Sequence, residues 1–231
     1  MAIETYSAAT SSNWTVPTGV TSIYVECWGG GGMGGRRITV GAGGGGGGGA
    51  YSAATISTTP GTVYWLKVGA GGVLGSLNGV TSQFTGSGGS VLVSAVGGTG
   101  CPDNTATGQN GGSAASGVGD LKYGGGKGGT GTAGLNGGGG GESGGPSGNG
   151  NTGSRATPGS GLSDAGNGGS GSIVHGVGAA GSSPGGGGGG ALKTGAGVIA
   201  GGRTGTGQVR ITYTIIASST LKVFINYDDN F

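Results

Sequence analysis

Ile23-Tyr24-Val25-Glu26-Cys27-Trp28-Gly29-Gly30-Gly31-Gly32 decides how this chain is read: a strand that runs directly into glycine. Ile23, Val25 and Cys27 fall on one face and Tyr24, Glu26 and Trp28 on the other, the period-two signature of a strand. Glycine then takes over, and it makes up 70 of the 231 residues. Ordering a glycine costs about 0.5–1 kcal/mol more than ordering an alanine, so an ordered tract of this size must offset a cost on the order of tens of kcal/mol. Either the glycine-rich part is disordered or a dense, backbone-based network holds it.

Outward from this stretch the same plan recurs. Upstream, Thr5-Tyr6 reads as a short strand, Ser11-Ser12-Asn13 as a turn, and Trp14-Thr15-Val16-Pro17 as the lead into Ile23. Downstream come Tyr51 to Ile56, the turn Thr59-Pro60-Gly61, and Val63 to Val68. A turn between two β-branched and aromatic runs reads as a hairpin connection. Val91 to Val96 is a further strand, and Gln208 to Ile215 restores alternation with Val209, Ile211 and Tyr213 on one side. A last alternating run, Leu221 to Tyr227, precedes the acidic end Asp228-Asp229-Asn230-Phe231. No segment has the periodicity of an amphipathic helix. The expected fold is all-β: a jelly-roll-like β-sandwich in residues 1–215, with β segments at about 3–96 and 208–215. A glycine-rich insertion occupies about 97–207, and 216–231 form an extra C-terminal strand and tail.

The insertion is tethered at both ends to strands, and a structureless loop of that length inside one domain is rare. Extended threefold helices of the polyproline-II type offer an ordered solution, because their N–H and C=O groups point outward and pair with neighbouring helices. Only glycine lets such backbones approach closely. Residues 43–49 and 185–190 are expected to be buried there, with interspersed Ser, Thr, Asn and Lys facing water. Collagen is excluded, since there is no sustained Gly-X-Y period and only six prolines.

Composition narrows function mainly by exclusion. Only 8% of residues are charged, the formal net charge is +2, and mean hydropathy is neutral. Arg36-Arg37 is the densest basic pair, with no run to track a phosphate backbone, so nucleic acid is not an expected partner. No apolar stretch approaches the roughly 18–20 residues of a membrane span. The start, Met1-Ala2-Ile3-Glu4, lacks a basic and apolar signal segment, so synthesis in a cytoplasm is expected. Cys27 and Cys101 do not form a framework and are read as free thiols, Cys27 as a small core residue.

Several residues bear on chemistry. Chance matches to G-x-G-x-x-G abound, yet none opens a helix, and Gly126-Lys127-Gly128 lacks the Ser or Thr of a phosphate loop. His175 is the sole histidine and reads as structural. Glu26, Asp103, Asp120, Glu142 and Asp164 stand far apart in the chain. No catalytic residue, cofactor site or metal site is therefore expected; Asp228-Asp229 reads as a solvated tail, with a hard-cation site as the alternative. Trp14, Trp28, Tyr51, Tyr64 and Trp65 are expected to pack between sheets or subunits, the alternative being a stacking platform for sugars.

Three segments together resemble the glycine-rich domain of bacteriophage tail fibres and adhesins. They are Trp14-Thr15-Val16-Pro17-Thr18-Gly19 leading through Ile23–Trp28 to Gly32; Pro60 to Gly72; and Gly207-Gln208-Val209-Arg210-Ile211-Thr212-Tyr213. The resemblance covers roughly residues 10–215. It implies a non-enzymatic virion protein, a tail-fibre or receptor-binding component, whose fibres are commonly trimeric. Implied partners are other copies of the chain, other virion proteins, and a bacterial surface polysaccharide or outer-membrane protein. Receptor contacts are not identified, though the turns from Cys101 to Thr107 and from Thr152 to Pro158 are candidates. Alternatives are a non-receptor decoration protein of the virion, and an ice-binding or disordered matrix protein.

Overall fold

Alternating side chains build two antiparallel sheets that share one core. The computed structural model describes residues 1–216, so the run Leu221 to Tyr227 and the acidic end lie outside the described residues. Eleven strands run in order: β1 (Ala2–Tyr6), β2 (Ser11–Thr15), β3 (Ser22–Trp28), β4 (Gly41–Ala42), β5 (Tyr51–Ser57), β6 (Val63–Lys67), β7 (Ser82–Thr85), β8 (Val91–Ala95), β9 (Leu121–Tyr123), β10 (Leu192–Lys193) and β11 (Gln208–Tyr213). There is no helix among the described residues, and the fold is all-β. A five-stranded sheet has the order β1-β11-β3-β5-β9, a four-stranded sheet β2-β6-β7-β8, and β4 and β10 form a ribbon. All named pairs are antiparallel.

The core is β-sandwich-like. Val25, Cys27, Val209 and Ile211 of the larger sheet meet Trp14, Leu66, Phe84 and Val93 of the smaller one. Burial of each large apolar side chain is worth about 1.5–3 kcal/mol. The opposite face of β3 is covered as well. Trp28, Tyr51 and Ala53 form a second buried cluster, and the Arg210 guanidinium lies 5.1 Å from the Trp28 ring.

Two turns differ from the sequence reading. Ser11-Ser12-Asn13 is not a turn but the start of β2, paired with Lys67, Leu66 and Trp65. Thr59-Pro60-Gly61 does turn, with Thr62 N–H donating to Thr59 O at 3.1 Å, but it does not close a hairpin. The Thr62 carbonyl accepts from Val16 N–H, and Gly61 N–H donates to Val16 O. The strand leaving the turn is thereby captured by β2, and the turn passes the chain from one sheet to the other. Within 97–207, β9 and β10 are short strands that no apolar run announces.

Beyond the sheets, the glycine runs form a backbone lattice. In residues 43–50, successive amides point to different neighbours and return every third residue. Gly43, Gly46 and Gly49 donate to Ala191, Gly188 and Gly185; Gly44, Gly47 and Ala50 to Thr105, Thr99 and Val96; Gly45 and Gly48 to Gly129 and Gly126. The carbonyls of the same run accept with the same repeat: Gly43, Gly46 and Gly49 from Gly138, Gly141 and Gly144; Gly44, Gly47 and Ala50 from Gly35, Gly32 and Gly29; Gly45 and Gly48 from Gln109 and Gly112. This run is thus enclosed on all sides by backbone. Residues 43–49 and 185–190 are all buried. A Cβ on Gly46 would lie 1.9 Å from the Gly32 carbonyl oxygen, and one on Gly187 2.3 Å from that of Gly46. Runs 29–35 and 43–50 are integral to this lattice although they precede residue 97.

Candidate functional site

The glycine runs that adjoin the strands leave a sheet, turn, and come back. Residues 29–35 follow β3 and residues 43–50 lead into β5, so the turn between them stands one run-length from the sheets. The turns near 38, 103, 135, 174 and 196 gather at that far end, because they bond to one another. Arg37 pairs with Ile199, Gly176 with Leu192, and Gly131 N–H donates to Ala106 O.

Side chains lock these turns. Asn104, in the left-handed region at φ 57°, uses its Oδ1 to accept from Ile38 N–H (2.9 Å), Thr39 N–H (3.0 Å) and the Thr39 hydroxyl (3.1 Å). Asparagine is among the few L-residues that tolerate this conformation. Arg36 Nε donates to Asp103 Oδ1 at 3.0 Å, and the two residues form an ion pair. The buried Lys193 ammonium donates to the Ile38 carbonyl. His175 Nδ1 accepts from the amides of Thr194 (3.1 Å) and Gly195 (3.0 Å). His175 thus ties two turns together.

What this end offers to a partner is largely apolar. Val40, Leu135, Ile173, Val174, Val177 and Val198 are each more than half exposed. Arg36, Leu74, Leu77, Pro102 and Asp103 line a cleft of about 480 Å³ beside them. The turn from Cys101 to Thr107 thus contributes to this end. The turn from Thr152 to Pro158 lies on a different groove, with Lys127 and Thr130.

Elsewhere the structure sorts the candidate residues. Trp14, Trp28, Tyr51 and Tyr64 are buried, as packing requires, but Trp65 is 55% exposed on the outer face of the smaller sheet. Cys27 and Cys101 are free and buried. Burial pushes the Cys27 thiol well above its ordinary range, with the Glu26 charge adding to it; burial also pushes Cys101 up to about 11. Both are protonated, poorly nucleophilic thiols at neutral pH.

The carboxylates, isolated in sequence, find partners in space. Glu26 receives a bidentate Arg210 (Nε 2.6 Å, Nη2 2.8 Å) and the Tyr51 hydroxyl at 2.9 Å. Asp164 meets the same guanidinium at 3.2 Å. The hydrogen bond to Glu26 raises the Arg210 pKa further, against the opposing effect of burial. Glu142, fully buried in the lattice, accepts from Asn151 N–H (3.0 Å), Asn151 Nδ2 (2.8 Å) and Leu162 N–H (2.7 Å). No local pattern signals it, since its partners come from turns 9 and 20 residues away.

Cross-tied turns on a backbone lattice, set on two antiparallel sheets, define a glycine-rich β protein that holds a loop surface away from its core. The family model described as "Glycine-rich domain" matches residues 6–214, and the chain belongs to that family. No curated protein matches the chain. No helix among the described residues is long and apolar enough to cross a membrane.

Proposed function

We propose that this chain is a bacteriophage virion protein, a tail-fibre or receptor-binding component that attaches to the bacterial surface without chemical turnover. The observation that carries the reading is the far end of the lattice, where apolar side chains are exposed on turns that hydrogen bonds and an ion pair hold in place. Side chains on ordered loops lose little freedom on binding, which leaves more of the contact energy for the partner. The resemblance of residues 10–215 to phage adhesins supports the same assignment. The glycine runs act in it as packed polyglycine-II-type helices; the threefold repeat of their hydrogen bonds supports that description.

The chain works in this proposal as a homo-oligomer, a trimer by analogy with fibres. Trp65, with Val63 beside it on the same face of β6, supplies an exposed apolar surface for such a contact. Light scattering should then give a multiple of 21.2 kDa, and Trp65→Ser should shift it toward the monomer. A clean monomer at micromolar concentration ends this part of the proposal.

For attachment, fluorescently labelled protein should stain susceptible cells and compete with phage adsorption while releasing no oligosaccharide. Replacing Ile173 and Val174 by Ser should abolish staining with little change in melting temperature. Protein that sits on the virion, yet neither stains cells nor blocks adsorption, is a decoration protein. Released oligosaccharide makes it an enzyme.

A further inference from the structure

One glycine run at the rim of the lattice has an unpaired, solvent-facing side. In residues 124–131, Gly125, Gly128 and Gly131 donate to Gly112, Gln109 and Ala106, and Gly126 and Gly129 donate to Glu142 and Gly139. In the third set the Gly124 amide donates to Asn149 Oδ1 at 2.8 Å, whereas the amides of Lys127 and Thr130 have no acceptor among the described residues. This open row flanks the neighbouring strand of backbone, where Gly153 N–H donates to Lys127 O, and the amide of Thr152 is likewise unpaired among the described residues. Between the two lies a groove of about 440 Å³, lined by Lys127, Thr130, Thr132, Thr152, Ser154 and Arg155. It contains two cations, four hydroxyls and no carboxylate. Neither Lys127 nor Arg155 forms an ion pair among the described residues.

Arg155 adds an independent sign. It sits at φ 42° in a tight turn closed by Ser154 N–H to Thr157 O and Thr157 N–H to Ser154 O. The turns at 73–76 and 132–136 also contain one left-handed residue each, but at their third position, and there it is glycine, Gly75 and Gly134. Unlike Asn104 and Asp164, the two other non-glycine residues in the left-handed region, arginine has no short polar side chain to ease that conformation. In a chain so rich in glycine, an arginine at a strained position is a cost that function must repay.

We infer that this groove binds an acidic sugar, a pyranose bearing a carboxylate or phosphate, with Arg155 and Lys127 on the anion and the hydroxyls and free amides on the ring oxygens. Two cations match one anionic substituent and are too few for a nucleic-acid backbone. The groove has the size of a small-ligand site. Its biological use rests on the attachment reading; its ligand chemistry does not.

The test is amide chemical-shift titration of the full chain with glucuronate, glucose 1-phosphate, inorganic phosphate and neutral glucose. The acidic sugars should shift the amides of Lys127, Thr130 and Thr152 saturably and compete with added salt; glucose should not. Arg155→Gly should weaken binding by about tenfold or more, as loss of a charge-assisted contact does, with melting temperature unchanged or raised because glycine relaxes the turn. Lys127→Gln should weaken it independently. A sugar carboxylate preferred over its phosphate identifies uronate as the source, and the reverse identifies phosphate. Inorganic phosphate binding as well as either sugar, shifts spread over the surface, no saturation by about 50 mM, or full binding by Arg155→Gly each overturns the inference. Acidic-sugar binding without cell staining would sink the attachment reading alone, and staining without acidic-sugar binding would sink the groove alone.

Discussion

The sheets and the glycine lattice solve the same problem with opposite materials. In the sheets, side chains such as Trp14, Phe84 and Val209 supply a core, and backbone pairing follows the strands. In the lattice there are almost no side chains to bury, and the backbone is itself the core. Each lattice hydrogen bond contributes about 0.5–1.5 kcal/mol net, against an extra ordering cost of about 0.5–1 kcal/mol per glycine. The bond thus offsets little more than the excess cost that glycine adds over alanine. The lattice therefore depends on completeness: each run is held by several neighbours, and an unpaired buried amide costs more than a made bond contributes.

That contrast is sharpest at Gly187. A Cβ there would meet the Gly46 carbonyl oxygen at 2.3 Å, and neither backbone can withdraw without breaking bonds to third runs. Gly187→Val is expected to abolish folding or to cost more than about 4 kcal/mol, read as loss of the cooperative melting transition. Unchanged melting would show that the lattice is loosely packed.

Phe84, buried in the sheet core and stacked on Tyr64 at 4.9 Å, tests the other region. Phe84→Ala should destabilise by about 3–5 kcal/mol in chemical denaturation. Should amide exchange in 124–144 speed up to the same extent, lattice and sheets unfold as one unit; protection retained there would make the lattice a separate one.

Glu142 links the two materials, a side chain doing a backbone's task. Glu142→Gln removes the charge and turns one acceptor into a donor facing an N–H of Asn151 or Leu162, for an expected loss of about 1–3 kcal/mol. Glu4 probes the sheet edge by pH. Burial alone raises its carboxyl, but hydrogen bonds from Trp14, Tyr213 and Tyr6 outweigh that and hold it below the ordinary 4.5. A depressed folded-state value means that its contribution is present above pH 4.5 and is lost as the pH falls through the lowered value. Melting temperature should drop over that acid range, and Glu4→Gln should flatten the drop. The smallest effect is expected at Gly88, in the turn between β7 and β8, where an added Cβ meets nothing. Gly88→Ala should leave stability within about 1 kcal/mol, on the favourable side if the unfolded chain loses freedom.

Local pattern was enough for β3 and β11, where alternation declares a strand with a buried face, and for β5, β6 and β8, where β-branched, aromatic and apolar runs do. It failed at Ser11-Ser12-Asn13, whose small polar residues suit a turn equally well and became strand only through pairing with β6. It failed for β9, three residues long and held by β5. The Arg210–Glu26 pair, 184 residues apart in the chain, has no local signal at all. Of the loop surface, the segments 101–107 and 152–158 were legible as turns; that the first joins Arg36 and Leu74 while the second faces Lys127 was not.

By itself, the sequence determined the composition of the solution: strands where apolar residues alternate, and close backbone contact wherever glycine runs, since no other residue permits it. Tertiary structure alone decided which run neighbours which. A glycine carries no side chain to specify its partner, so the lattice neighbours of residues 43–50 are set by the strands that anchor them and by the turns that return them.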